Sequence, residues 1–453
     1  MAPRLLRAAL DSADPETAVD RLVDFLIRTG AHTSYLALLG GSPATMEVLV
    51  RLFATSPYLA RHLVGHPELL DSLVRSDRAP HARDRAVLER ELDEELAEVG
   101  DEEAMLAALR HFRVAETVRI GLDDLSELIS TDEAFAVLTL VAEVCVRAAA
   151  DRARLLVEAA RPGVTGSVDL AIVALGKMGA GEMSYASDLD LMFVYDSKRP
   201  GFDGEAHSAA TRWAQKLIGL LQTQTRDGIV YKIDARLRPS GRSGPLVASM
   251  DRFVGYHREE AELWERQAHI RARVIYGSED LTRRVDTVIE GLVYGEGLAR
   301  EGVEAIDALR MRVENELAAE GPDRVNVKTG RGGIVDVEFL VQMLLLTHGH
   351  AHPEVRKRGT IDAICALRDA GLLPADEAAT LVESYRFLRT LEARMRLERD
   401  RAVEQLGTDL AVLAPLARRL GFTGERPGEA LLAHYAKTRE AVRTLYERHF
   451  RGF

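Results

Sequence analysis

The chain has 453 residues, 47% of them hydrophobic and 29% charged, which is enough for two or three domains with apolar cores and excludes a disordered polymer. Its 71 Asp and Glu outnumber 59 Lys and Arg, and the net charge of −12 argues against nucleic-acid binding by bulk charge. No apolar run is long enough to span a bilayer, and residues 1–10, interrupted by Arg7, are too short an apolar stretch for a signal peptide.

Residues 1–165 read as helices throughout. Helical spacing over 18–27 ends near Gly30, and residues 34–39 follow, stopped by Gly40 and Gly41. Ser42 and Pro43 make a helix start, with the serine as N-cap and the proline at the first position; Ser56-Pro57 and His66-Pro67 repeat the signal. Residues 81–100 are highly charged and predict a solvated helix. Two long amphipathic helices are expected over 102–129 and 134–160. Cys145 and Cys365 both lie in apolar helical patterns and read as reduced core residues of a cytosolic protein. This first region reads as a helical bundle and carries no catalytic cluster.

Pro162 and Gly163 break the helical pattern. Residues 168–175 are nearly all apolar, as a strand buried on both faces would be. Gly176, Gly179 and Gly181 follow, in a turn that permits close backbone approach to a ligand. The spacing fits neither a Walker loop nor a Rossmann fingerprint. As a phosphate cradle it would use backbone N–H groups, with the Ser187 hydroxyl as an added donor. Lys177 reads equally as a phosphate contact or a surface residue. Residues 189–195 form a second buried run, with Asp188 and Asp190 at its start. Two residues apart in a strand, these carboxylates share a face and suit a hard divalent cation. A helix over 205–225 should bury Trp213, Leu217, Leu220 and Leu221. Residues 228–238 contain a further strand with Asp234, followed by Arg236 and Arg238. Three acids, a glycine turn and nearby arginines make a site for metal-bound phosphates.

Residues 250–268 are predicted helical with Trp264 inside, and the helices continue to the end of the chain. Asp336 and Glu338 follow Gly330-Arg331-Gly332-Gly333 and read first as acids favouring a helix dipole, second as neighbours of an active site. His348, His350 and His352 read as a helix C-terminus capped at Gly349 rather than a metal tract.

The ordered series Gly176-Lys177, Ser187-Asp188-Leu189-Asp190 and Asp234 resembles the nucleotidyltransferase superfamily, which usually carries glycine or serine where Lys177 stands. The longer string over 175–191, together with residues 236–241, 264–273 and 330–339, resembles the glutamine synthetase adenylyltransferase family. That resemblance implies an α+β fold: a nucleotidyltransferase-type mixed β-sheet with helices (residues 166–280) between two all-α domains (1–165 and 281–453). It implies a cytoplasmic enzyme that transfers AMP from ATP to a tyrosine of glutamine synthetase and releases pyrophosphate. Two Mg²⁺ ions would be held by Asp188, Asp190 and Asp234, with Asp234 also the general base. Gly176, Lys177, Ser187, Arg236 and Arg238 would face the nucleotide, and Arg271 and Arg273 are weaker candidates. A PII signal protein is a further implied partner; nucleic acid and membrane are not. Family members usually carry two such halves, and this chain resembles the C-terminal, adenylylating one. Phosphorolytic removal of AMP, or a non-catalytic half that binds glutamine synthetase or PII, are the alternatives.

Overall fold

Strand β1 (Val168–Ala174) lies at the centre of a mixed sheet. The structure is a computed structural model and describes residues 2–12, 14–28, 43–66, 69, 83–198, 203–225, 228–399 and 403–452. On one side β1 pairs antiparallel with β2 (Leu189–Ser197), and on the other with β5 (Arg273–Tyr276). Two short strands share the far edge of β2, both parallel to it. β3 (Ile233–Asp234) lies beside its start and β4 (Val247–Ser249) beside Phe193–Tyr195.

Both faces of the sheet are covered, which explains why β1 and β2 read as continuous apolar runs. The period-2 alternation divides them between two cores. Leu170, Ile172, Leu189, Leu191 and Phe193 join the helices before Pro162 and the Asp203–Gln222 helix. Ala171, Val173, Met192 and Val194 join the helices after Tyr276. Each buried Leu, Ile, Val or Phe contributes about 1.5–3 kcal/mol through loss of apolar surface to water. The order of the strands is therefore fixed by both helical regions at once.

The long helices run over Glu102–Leu125 and Thr131–Ala160, the second opened by a capping box between Ser130 and Glu133. Ser56 caps its helix as expected, accepting from Leu59 N (3.1 Å), and its hydroxyl also donates to Leu397 O (2.9 Å). Trp213, Leu217, Leu220 and Leu221 are buried, and Cys145 is buried without a disulfide. The helix over Ile334–His348 ends at Gly349. Gly30, residues 34–39, Gly40, Gly41, the Ser42 cap and the Pro67 start lie outside the described residues.

Three expectations are corrected. The described helix within 81–100, Arg85–Ala97, is solvated on one face only: Leu88, Leu92 and Leu96 are buried, and Arg83 and Arg85 bind Glu116 and Glu143 of the long helices. The helix expected over 250–268 is two, Met250–Glu259 and Leu263–His269. The second turns Glu265, Arg266, Gln267 and His269 inward, so Trp264 faces out, 40% exposed, with Nε1 on Glu262 Oε2 (2.7 Å). The strand expected within 228–238 shortens to Ile233–Asp234, because the Asp234 carboxylate accepts the Arg236 backbone N–H (2.9 Å) and turns the chain away. The helices after Tyr276 also enclose one antiparallel ribbon, β6 (Arg324–Asn326) with β7 (Gln405–Gly407).

Candidate active site

The three aspartates of the sequence pattern come to one end of the sheet. The parallel register sets Asp190 and Asp234 side by side as Cα partners, and Leu189 N donates to Lys232 O (2.8 Å). Asp188 is one residue before β2 and exposed. Burial, then the charges of Asp234 and Asp188, push the Asp190 carboxyl up to about 6. Its neighbours are held by cations. Asp188 Oδ2 accepts from Lys232 Nζ (2.7 Å), and both Asp234 oxygens accept from Arg236 Nε (2.8 and 2.7 Å). The arginine hydrogen bonds hold the Asp234 carboxyl below the usual carboxylate range. With the acids so engaged, no three acidic, imidazole or thiol groups among the described residues converge on a metal position.

The glycine turn fits against Asp190. Gly176 has φ of +52°, and a Cβ there would overlap Asp190 Oδ2. Leu175 N donates to Asp190 O (2.9 Å), which locks the turn to the strand carrying the acids. A Cβ at Gly179 would overlap the carbonyl oxygens of Arg271 and Ala174, so this glycine is fixed by close backbone packing. Ser187 Oγ accepts from Ser184 N (3.2 Å) and from Arg396 Nη1 (3.3 Å).

Lys177 takes neither of its two expected places. Its ammonium turns inward onto Glu392, at 2.8 and 2.9 Å from the two oxygens. Burial draws its pKa down to about 7 against the pull of Glu392, and Arg389, Arg396 and Lys328 add to the lowering. Glu392 also accepts from Arg396 (2.9 Å) and pairs with Arg389 (3.3 Å). A second carboxylate, the half-buried Glu338, pairs with Arg271 (3.1 Å) and accepts from Tyr385 Oη (3.2 Å). Glu182, after the turn, accepts from Tyr385 Oη (2.8 Å) and from Thr360. The Ala375–Arg399 helix therefore supports the floor of the glycine turn by charge.

The arginines divide in the same way. Arg236 stays exposed on Asp234. Arg238 donates to Ala235 O and to Gly244 O (3.2 Å), Arg271 donates to Thr360 Oγ1 (2.9 Å), and Arg273 binds Glu143 and the carbonyls of Met178 and Gly179. Asp336 is fully buried on Arg310 and accepts from Gly332 N (2.8 Å), closing the turn ahead of its helix.

Sequence reasoning missed Lys232, Lys328 and Glu392. Lys232 had a signal: once Asp190 faces Asp234 in register, the residue two places earlier on each strand gives Asp188 and Lys232. Lys328 is held on Glu404 (2.7 Å), and its charge is felt at Asp190. Neither it nor Glu392 had any local signal.

A family model described as glutamate-ammonia ligase adenylyltransferase matches residues 46–288, which include the three aspartates, the glycine turn and most of the helices before it. A second, described as GlnD PII-uridylyltransferase, matches residues 307–450, which carry Lys328, Glu338, Thr360, Tyr385 and Glu392.

Proposed function

The chain belongs to the glutamate-ammonia ligase adenylyltransferase family, and we propose that it transfers AMP from ATP to a tyrosine of glutamine synthetase. The observation that carries this reading is the pairing of Asp190 with Asp234 beside a glycine turn with no room for a Cβ. The phenolic oxygen attacks the α-phosphorus, the bond from that phosphorus to the β-phosphate oxygen breaks, and pyrophosphate leaves. Asp234, set beside Asp190 by the strand register, is the candidate acceptor of the phenolic proton. Mg²⁺, as two ions, would be held by Asp188, Asp190 and Asp234, and would neutralise phosphate charge when bound. Asp190, crowded by two like charges, gains most from such a cation. Lys232 and Arg236 would then be released from the acids to the phosphates. Gly176 and the following turn would offer backbone N–H groups. Ser187 would add its hydroxyl and Lys328 its charge. The second family match supports a PII signal protein as a regulatory partner. No described helix is long and apolar enough to cross a membrane.

One observation favours the reverse reaction, phosphorolysis of adenylylated glutamine synthetase. Arg238, Arg271 and Arg273 are all engaged with internal partners, so fewer cations face a pyrophosphate than the sequence suggests. The test incubates the protein with α-labelled ATP, Mg²⁺ and glutamine synthetase. Label on a tyrosine of the target is the expected result. Its absence, with rapid ADP release from adenylylated target and phosphate, would establish the reverse direction instead.

A further inference from the structure

A cavity of about 310 Å³ opens beside Asp188, between the loop that leads into β2 and the segment that leads into β3. Its size is at the low end of the roughly 300–1,000 Å³ of small-molecule pockets. The walls are apolar and aromatic: Leu138, Met183, Tyr58 and Tyr231 are buried around it, and Ile229 forms one side. Lys232 and Asp188 stand exposed at its mouth. None of the Gly176–Gly181 turn lines it, and none of its wall comes from residues 307–450.

The charges and polar groups narrow the occupant. Arg113 lines the cavity, but its guanidinium is engaged with the Ile229 and Val230 carbonyls (3.2 and 2.6 Å) and with Tyr58 Oη (2.6 Å), and it lies over the Tyr231 ring (5.3 Å). With its donors turned to these partners, the interior does not suit a phosphate. Ser184 is 3% exposed, and its Oγ has no partner among the described residues. A buried hydroxyl left unpaired is unfavourable, and a polar edge on the occupant would offset that penalty. The occupant is therefore neutral and ring-like, with at least one polar edge.

We propose that this cavity receives the adenosine of ATP, with the base between Ile229 and Tyr231 and its edge toward the Ser184 hydroxyl. The proposal rests on the reading of ATP as substrate. It follows from connectivity. The glycine turn lies against Asp190, so the β- and γ-phosphates run toward it, and the nucleoside must leave the α-phosphate on the other side, toward Asp188. A tyrosine ring entering by the same mouth would carry its hydroxyl past Asp188 to the cavity floor, away from the phosphorus.

The test is calorimetric titration of ATP and of inorganic tripolyphosphate, each with Mg²⁺ and without acceptor protein, into wild type, Ile229→Trp and Ser184→Ala. The indole fills the cavity; Ser184→Ala removes one atom and keeps the fold if the indole does not. Ile229→Trp should weaken ATP by tenfold or more and leave tripolyphosphate within twofold, and Ser184→Ala should weaken ATP several-fold. Unchanged ATP affinity in both variants, or equal losses for ATP and tripolyphosphate, overturns the assignment. AMP transfer to glutamine synthetase by the same three proteins is measured in parallel; a rise in KM for glutamine synthetase with that for ATP unchanged also overturns the assignment and gives the cavity to the acceptor ring. ATP binding that follows this pattern in a protein that never labels glutamine synthetase would sink the functional reading and leave the cavity assignment standing.

Discussion

Gly176→Ala separates two reasons for a glycine at the head of the turn. The first is backbone: φ of +52° costs a residue with a Cβ roughly 1–2 kcal/mol. The second is space, because the new methyl would overlap Asp190 Oδ2 and push that carboxylate off its rotamer, for about 0.5–1.5 kcal/mol more. Together they predict a loss of about 1.5–3.5 kcal/mol in urea unfolding, small beside the effect on catalysis. A shift of about 1 Å in a catalytic group costs on the order of 100-fold in rate. In an Asp190→Ala background the overlap is gone, and the same glycine replacement should cost only the backbone part, about 1–2 kcal/mol. The assays are urea melts of all four proteins and AMP transfer by wild type and Gly176→Ala. Equal stability losses in the two backgrounds, or transfer by Gly176→Ala within about threefold of wild type, would refute the claim that this glycine makes room for Asp190.

Asp190→Asn should stabilise the metal-free protein at pH 7 while abolishing transfer. Burial, then the charges of Asp234 and Asp188, raise the folded carboxyl from an ordinary 3.8 to about 6, so its charge costs the fold progressively above pH 3.8 and in full above pH 6. At about 1.4 kcal/mol per pKa unit the gain is at most about 3 kcal/mol, and it should fade as pH falls from 6 toward 3.8; a gain independent of pH would show that the buried, crowded charge of Asp190 is not its source. In the support beneath the turn, Glu392→Leu should cost far more than Lys177→Met, about 3–5 against about 1 kcal/mol. The first leaves Lys177, Arg389 and Arg396 facing a lost carboxylate, whereas the second leaves Glu392 paired with both arginines. Equal losses in urea melts would show that Glu392 is not the hub of this cluster.

The sequence by itself determined the two central strands, the glycine turn, the long helices and the three aspartates. These are local patterns. An unbroken apolar run needs burial on both faces, acids at i and i+2 share a face, and Ser-Pro starts a helix whatever lies around it. Cys145, Trp213 and the Gly349 helix end followed for the same reason. Only the tertiary structure decided which cations belong to the site. Arginine spacing marked Arg238, Arg271 and Arg273 as phosphate contacts, yet each is engaged with a carbonyl, hydroxyl or carboxylate. Lys177 meets Glu392 across 215 positions of sequence, and no periodicity carries information over that distance. Trp264 was misplaced because a short helix turned four polar residues inward, against the usual preference. Charge pairing inside a protein depends on which elements meet, and that is settled when the sheet receives one set of helices on each face.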